Sequence, residues 1–288
     1  MLSPFFVMQT IYVVFLRQEF DCKMETTNNY MQSAILRHLE DIEKQYDVRI
    51  LLAVESGSRA RGLNSNESDW DLRFVYVNKL DWYLRVNEDR DVIEEMYDDN
   101  VDLVGWELRK TLRLFQKSNP SLMEWLHSPI IYYADGVFLS RMRGLEPAFF
   151  NPIKTMYHYA NIYIKHDKRY LQNAAYPLKR FLYYLRGILA CRWVEERQSM
   201  PPVLFSELVN GTVEEVAIQQ KIQELLALKK ASKENDLKEV DSSLVEYARH
   251  WAEFYTERVG TFRPEHEKTS SEALDSILFD MVMLNTNH

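Results

Sequence analysis

Two apolar strands joined by a short polar segment constrain the fold of this chain more than any other feature. Residues 49–55 (RILLAVE) form a continuous apolar run, which predicts a buried strand. Residues 69–77 (DWDLRFVYV) alternate, so that large apolar side chains share one face while Asp69 and Asp71 lie on the other. Between the strands, residues 57–62 (GSRARG) predict a turn that opens a short helix or loop. These elements predict an α/β first half.

Helix and strand patterns alternate up to about residue 150 and then become helical only. A helical pattern begins near Thr27 and continues through Ile35, Leu39, Ile42 and Tyr46. Two antiparallel strands are predicted at 91–97 and 100–106, and helices at 106–117, 120–127, 153–173, 177–198, 213–230 and 242–259. The fold class that follows is α+β, with a mixed sheet and helices in the first half and an α-helical bundle after it.

Four segments follow from these patterns. Residues 1–27 are an N-terminal extension, 28–150 the mixed-sheet domain, 151–262 the α-helical domain and 263–288 a loosely held tail. Within the extension, residues 5–16 are apolar but too short for a comfortable transmembrane helix, and no basic residue precedes them. This stretch is a dispensable extension, a packed strand or helix, or a membrane-associated segment, and the sequence leaves these alternatives open.

Charge and composition exclude several classes of protein. A formal net charge of −8 argues against a protein that binds nucleic acid over its whole surface, although a local basic groove is compatible with it. The two cysteines, Cys22 and Cys191, form no CxxC pair, and the seven histidines form no HxxxH or HExxH motif. A disulfide framework and a structural zinc site are therefore not expected. We expect a cytoplasmic protein with no stable membrane partner.

The glycines of the polar segment exclude two familiar nucleotide-binding motifs. Gly57 and Gly62 have the spacing of a P-loop, but Leu63 and Asn64 stand where that motif needs Lys and Ser or Thr. No GxGxxG fingerprint is present either. What remains is Gly57-Ser58 directly after a buried strand, where backbone N–H groups can face an anion. An ordinary turn explains the same residues.

Asp69 and Asp71 return to the same face of their strand, about 6.5 Å apart at the backbone. Two neighbouring anions are unfavourable without compensation, and a divalent cation that also contacts phosphate oxygens supplies it. Taken alone, DxD is also common at strand starts and turns. The combination is more specific: Gly-Ser, ten residues, DxD entering an apolar strand, and later Asp102 inside another strand (VDLV).

This combination resembles the DNA polymerase β nucleotidyltransferase superfamily, and further motifs resemble its RlaP branch, which is associated with RNA repair. The similarity covers about residues 28 to 260. It rests on the segments GSRARG, SDWDLRFVYV, LDWYL, RDVIE, DLVGWELRKTL, NPSLMEWLHSPIIY and LKRFLYYLRGILACRWV. Glu107 stands where the family's GWDL has Asp. The first 27 residues have no recognised counterpart.

The resemblance implies a function for each part of the constellation. Gly57 and Ser58 would bind the phosphates of a nucleoside triphosphate, and Asp69, Asp71 and Asp102 would be the catalytic carboxylates that hold two Mg²⁺ or Mn²⁺ ions. Residues 28–150 would then be a polymerase-β-type nucleotidyltransferase catalytic domain.

Four basic residues are further candidates for phosphate binding. Arg59 and Arg73 flank the proposed phosphate and carboxylate positions, where a structural ion pair is the alternative to a contact with triphosphate. Lys179 and Arg186 lie seven residues apart on one helical face, which can form a phosphate-binding wall or an ordinary solvated face.

The predicted activity is transfer of a nucleoside monophosphate from an NTP to an acceptor hydroxyl, with release of pyrophosphate. RNA ends are suggested as the acceptor by the family's association with repair. A protein hydroxyl is the alternative acceptor, which would make the chain an adenylylating enzyme. A catalytically silent nucleotide- or RNA-binding module is an alternative of another class. The oligomeric state and the preferred base are not predicted.

Overall fold

The computed structural model describes residues 30–65, 68–87, 89–97, 100–170, 175–231, 237–263 and 270–286. The apolar stretch 5–16 lies outside these residues. The chain divides into two compact units, one up to Val48 and one from Arg49 onward. In the first unit, helix α1 covers residues 30–46. Its predicted apolar stripe is buried except for Tyr46, which is 41% exposed.

The second unit is built on a five-stranded mixed sheet. Its strands are β1 (Arg49–Glu55), β2 (Trp70–Val77), β3 (Val92–Tyr97), β4 (Val101–Glu107) and β5 (Ile131–Ala134), in the order β3-β4-β2-β1-β5. Only the β2–β4 pair of this sheet is parallel. The mixed sheet confirms the predicted fold class. β5, which pairs with β1, was not predicted, because its four residues are too short for a clear alternating pattern.

Short helices connect and cover these strands. They are α2 (Gly57–Ala60), α3 (Leu80–Tyr83), α4 (Leu108–Gln116), α5 (Pro120–Leu126) and α6 (Gly136–Phe149). Glu107 caps α4, where its side chain accepts a hydrogen bond from the backbone N–H of Lys110. The acid at this position of the family motif therefore has a structural role. Asn119 caps α5 in the same way, with Pro120 at the first helical position as predicted.

The second half is mainly helical, as the sequence predicts. Its elements are α7 (Pro152–Tyr170), β6 (Ala175–Pro177), α8 (Leu178–Arg197), α9 (Phe205–Thr212), α10 (Val216–Lys230), β7 (Leu237–Glu239), α11 (Ser242–Thr261) and α12 (Glu272–Thr286). Strands do not disappear after residue 150: β6 and β7 pair antiparallel across 60 residues of sequence, a contact too short and too distant to predict. One hydrophobic core runs from the sheet into α7, α8 and α11.

The expectation of a loosely held tail is wrong for the described part of residues 263–288. Residues Glu272–Thr286 form α12, and Leu274, Ile277, Met281 and Val282 on this helix are buried in the core. The apolar spacing of these four residues places them along one face, which explains why the helix packs instead of remaining loose. The domain boundaries at residues 28, 151 and 263 stay a prediction.

Candidate active site

Asp71 and Asp102 are brought together by the parallel pairing of β2 with β4. The two residues are direct partners in the register, and paired residues on neighbouring strands present their side chains on the same face of a sheet. Both side chains are partly exposed, at 32% for Asp71 and 41% for Asp102. The structure thus places two of the three predicted carboxylates side by side within reach of solvent.

Gly57 lies directly against the carboxylate of Asp71. Its φ is +60°, and a Cβ at this position would lie 1.8 Å from Oδ2 of Asp71. Both the left-handed backbone and the close approach require glycine. The backbone N–H of Ser56 also donates to the carbonyl of Asp71 over 2.8 Å. The predicted Gly57-Ser58 turn therefore sits at the carboxylates, with Ser58 itself 7% exposed.

Arg73 is the cation that contacts both carboxylates. Its Nη2 lies 2.8 Å from Oδ2 of Asp102 and 3.5 Å from Oδ1 of Asp71. Its Nη1 donates to the carbonyl oxygens of Leu72 at 2.8 Å and Asp102 at 3.1 Å. The sequence left a structural ion pair and a triphosphate contact open for this residue, and the structure shows the ion pair. We call Asp71, Asp102 and Arg73 the Asp71 cluster.

Arg59 holds the segment that leads into β2. Its Nε donates to the carbonyl of Asp69 at 3.1 Å, and its Nη2 donates to the carbonyl of Ser68 at 2.7 Å. The guanidinium also lies over the ring of Trp70, 3.8 Å from its centroid. Asp69 itself is exposed and precedes the strand by one residue. Arg59 therefore fixes the backbone around Asp69, a role that the sequence did not predict.

Glu55 is a fourth carboxylate at this site, and the sequence did not identify it. It is fully buried at the end of β1, where Oε1 accepts the backbone N–H of Asp71 at 2.8 Å and Oε2 accepts the hydroxyl of Tyr132 at 2.6 Å. Burial raises the pKa of Glu55 to about 7, although the hydrogen bonds from Tyr132 and Asp71 oppose this rise. The available signal was an acid that ends an apolar strand immediately before Ser-Gly-Ser.

Arg186 does not belong to an exposed phosphate-binding wall. It is 3% exposed, and its Nη2 pairs with Oε1 of Glu124 at 2.8 Å. Arg61 pairs with the other oxygen of Glu124 at 2.7 Å, and the hydroxyl of Tyr159 donates to Oε1 at 2.8 Å. We call these four residues the Glu124 cluster. Because its guanidinium is buried and paired with Glu124, we leave Arg186 out of the proposed nucleotide site.

Lys179 lies half-buried in the first turn of α8. Tyr183, one turn later on the same helical face, accepts a hydrogen bond from Nη1 of Arg61 at 3.4 Å. The face of α8 that carries Lys179 is therefore the face next to the GSRARG segment. A phosphate contact for Lys179 stays a prediction.

The donor chemistry of the site fits a hard divalent cation, because carboxylate oxygens are the ligands that Mg²⁺ and Mn²⁺ prefer. Gly57 leaves the carboxylate of Asp71 the space that a Cβ would fill. Within the described ranges, however, no group of three His, Cys, Asp or Glu residues is placed to hold an ion. Mg²⁺ commonly takes one or two carboxylates and completes its shell with water and phosphate. The residues thus fit an ion shared with a nucleotide, not a closed protein cage.

Comparison with known proteins agrees with the pattern of the site. The model of the RlaP family, described as the RNA repair pathway DNA polymerase beta family, matches residues 31–280. The chain belongs to this family. The resemblance expected from the sequence is thereby confirmed, and the chain is a polymerase-β-like, nucleotidyltransferase-like protein.

Two further likenesses accompany the RlaP match. “Uncharacterized protein YcgL” of Bacillus subtilis (strain 168) is 40% identical over 252 residues, which cover 88% of this chain and 96% of that protein. The crystal structure of a nucleotidyltransferase-like protein from Exiguobacterium sibiricum 255-15 is 12% identical, with a TM-score of 0.31 over 88% of this chain and 87% of that one.

No helix in the described parts of this RlaP-family chain is both long and apolar enough to cross a membrane. The cytoplasmic location stays a prediction.

Proposed function

We propose that this chain is a nucleotidyltransferase that transfers a nucleoside monophosphate from an NTP to an acceptor hydroxyl and depends on two divalent metal ions. One observation carries the proposal: Asp71 and Asp102 lie in register on parallel strands, and Gly57 lies against the carboxylate of Asp71. Membership of a polymerase-β-type family supports it.

In this proposal the glycine turn would bind the triphosphate and the aspartates would bind the metal ions. The Gly57-Ser58 turn would hold the triphosphate, because a glycine without Cβ lets phosphate approach the backbone closely. Asp69, Asp71 and Asp102 would hold Mg²⁺ or Mn²⁺, with Asp69 joining the other two when the nucleotide is bound. These ions, when bound, neutralise the developing charge on the phosphates and lower the pKa of an acceptor hydroxyl.

The reaction is a displacement at phosphorus. The acceptor oxygen forms a bond to the α-phosphorus, while the bond from that phosphorus to the oxygen bridging the α- and β-phosphates breaks. Pyrophosphate leaves with the bond's electron pair. Asp102, which is more exposed than Asp71, would orient the acceptor hydroxyl and accept its proton. Alignment and charge neutralisation would supply most of the catalysis.

RNA ends are the acceptor that we propose, because the family is described as part of an RNA repair pathway. A protein hydroxyl is the competing acceptor, and the test must separate the two. Purified protein with Mg²⁺ or Mn²⁺ is incubated with each α-labelled NTP and with either an RNA pool or a protein pool. Label in the RNA pool supports the proposed acceptor, and label in protein alone contradicts it.

Catalysis is tested with matched acid-to-amide variants. We expect Asp71→Asn and Asp102→Asn to lower incorporation by about 100-fold or more, because each removes one charged oxygen ligand from the metal ions that would neutralise the reacting phosphates. Asp89→Asn is the control, since Asp89 makes an exposed pair with Arg85. Thermal stabilisation by NTP without incorporation into any acceptor would instead indicate a silent nucleotide-binding module.

A further inference from the structure

Arg73 occupies the position of a counter-ion in the Asp71 cluster. Its Nη2 makes both ion pairs, whereas its Nη1 is bound to two backbone carbonyls of β2 and β4. The two halves of the guanidinium therefore have different functions. The carbonyl contacts anchor the side chain to the sheet, and the carboxylate contacts neutralise charge.

The neighbouring arginine does not duplicate this contact. Arg59 directs its donors to the carbonyl oxygens of Ser68 and Asp69 and stacks on Trp70. In the part of the chain that the structure describes, Arg73 is the cation within ion-pair distance of Asp71 and Asp102. A single guanidinium thus compensates two carboxylates, which leaves the Asp71 cluster with a net negative charge.

A divalent cation bound by the same carboxylates would make the Arg73 contacts redundant. Asp102 cannot offer the same Oδ2 lone pairs fully to a metal ion and to Nη2 at 2.8 Å, and a metal ion and a guanidinium repel each other. The two cations therefore compete for Oδ2 of Asp102. A guanidinium that leaves Asp102 needs another anion, and a triphosphate held at the Gly57-Ser58 turn supplies one.

We propose that Arg73 and a divalent metal ion compete for the carboxylates of Asp71 and Asp102, and that Arg73 thereby couples metal binding to nucleotide binding. In the metal-free protein, Arg73 neutralises the two carboxylates. When metal binds, Nη2 of Arg73 is released from Asp102 and pairs with the nucleotide's phosphates, while Nη1 remains on the backbone carbonyls. This inference rests on the proposed function of the site. It assigns Arg73 the role of a positioning residue whose partner depends on what is bound.

Thermodynamic linkage gives the inference a measurable form. If Arg73 competes with metal, replacing it with a neutral side chain raises the affinity for metal alone. If the released guanidinium binds phosphate, nucleotide raises the metal affinity of the unsubstituted protein more than that of the variant, and the coupling is reciprocal. A purely structural guanidinium would also repel the metal ion, so it predicts a rise in the metal affinity of the variant but no difference in how nucleotide changes that affinity.

The experiment titrates full-length metal-free protein with Mn²⁺ and follows free Mn²⁺ by electron paramagnetic resonance. Arg73→Met and Arg73→Gln are compared with the unsubstituted chain, and Arg141→Met, which removes a pair with Asp280 on α12, is the control. We expect both Arg73 variants to bind Mn²⁺ about tenfold more tightly than the unsubstituted protein, which corresponds to about 1.4 kcal/mol of binding free energy. The control should bind Mn²⁺ as the unsubstituted protein does.

Thermal unfolding provides a second readout. In EDTA both Arg73 variants should unfold at a lower temperature than the unsubstituted protein, and Mn²⁺ should raise their Tm by more. A nonhydrolysable α,β-methylene NTP should strengthen Mn²⁺ binding to the unsubstituted protein more than to either variant.

The contrary outcomes separate two failures. If the unsubstituted protein and both variants bind no Mn²⁺, with or without nucleotide, the proposed function fails. If the unsubstituted protein binds Mn²⁺ and the Arg73 variants bind it equally or more weakly, the competition is overturned while the proposed function stands. Failure of both variants to fold even in Mn²⁺ also overturns it, because metal should then supply the missing charge.

Discussion

Two charge clusters in this molecule have opposite compositions and opposite exposure. In the Glu124 cluster one carboxylate lies between two guanidiniums, and the side chains of Glu124 and Arg186 are 9% and 4% exposed. In the Asp71 cluster one guanidinium lies between two carboxylates, which are 32% and 41% exposed. Both connect segments far apart in sequence, but only the second is open to exchange with ions from solvent.

The difference shows how the same residue types form a closed ion-pair network in one place and a solvent-facing one in another. Burial alone would raise the pKa of Glu124, but the guanidiniums of Arg61 and Arg186 outweigh it and hold that pKa well below its usual range. The Glu124 cluster is therefore permanently charged and closed. The Asp71 cluster has one guanidinium for two carboxylates and faces solvent, which is the arrangement that the proposed metal binding requires. Arg61 lies in the GSRARG segment that begins at Gly57, so the Glu124 cluster holds the segment that borders the Asp71 cluster.

Removing the carboxylate of the Glu124 cluster should have the largest effect on the free energy of unfolding. Glu124→Gln leaves the buried guanidinium of Arg186 and the partly buried one of Arg61 without a counter-charge, and loss of one partner from a buried ion pair costs about 3–5 kcal/mol. We expect a loss of that size in the free energy of unfolding, measured by urea denaturation. Glu196→Gln, which removes an i,i+4 pair with Arg192 at a residue 42% exposed, should cost about 0.5 kcal/mol or less. Equal losses in the two variants would refute the distinction between the clusters.

Displacing Asp71 without changing any charge should have an intermediate effect. Gly57→Ala requires a left-handed alanine and puts its Cβ against the Asp71 carboxylate, which together should cost about 2–3 kcal/mol. Mn²⁺ affinity should also fall, because the carboxylate must move. The control is Gly144→Ala in α6, where a Cβ meets nothing within 4 Å and helix propensity favours alanine. Unchanged Mn²⁺ binding in Gly57→Ala would show that this contact does not position the open cluster.

Most of the Asp71 cluster was predictable from the sequence, because strand alternation and turn residues are local patterns. Strand alternation placed Asp71 on the polar face of β2, and Gly57, two residues after the end of β1, marked the turn beside it. The pairing with Asp102 came from the family resemblance, since no local pattern determines which strands lie side by side. The contact of Arg73 with both carboxylates was one of two alternatives that the spacing allowed.

The Glu124 cluster could not be predicted, because Arg61 and Arg186 lie 63 and 62 positions from Glu124 in the sequence. Arg186 has the spacing of a solvated or phosphate-binding face, and the structure shows instead that it is buried and paired with Glu124 of α5. The contacts of Arg59, which the sequence named only as a candidate for phosphate binding, and the presence of Glu55 in the site were not predicted for a related reason. Both side chains reach backbone groups of residues 68–71, and a sequence pattern does not show which backbone groups a side chain reaches.

The charge of Glu55, which accepts a hydrogen bond from the backbone of Asp71, should depend on pH. The charge of Glu124 should not, and this difference sharpens the comparison between the two clusters. Burial raises the pKa of Glu55 to about 7 from 4.5. The pKa of Glu55 is higher in the folded state than in the unfolded state. Its contribution to the free energy of unfolding is therefore fully present below pH 4.5 and is lost as pH rises through 7. Relative to Glu55→Gln, the protein in EDTA should therefore lose about 1 kcal/mol per pH unit between about pH 5 and 7.

This prediction is measured by urea denaturation of both proteins at several pH values. Gln can keep the hydrogen bond from the backbone N–H of Asp71 and can pair with the hydroxyl of Tyr132, so the substitution removes the titration and preserves the contacts. Glu94→Gln, an exposed pair with Arg90, should show a constant difference from the unsubstituted protein over the same range. Parallel stability curves for the unsubstituted protein and Glu55→Gln would mean that Glu55 ionises normally. The carboxylate of Glu55 would then remain charged at neutral pH, as the carboxylate of Glu124 does.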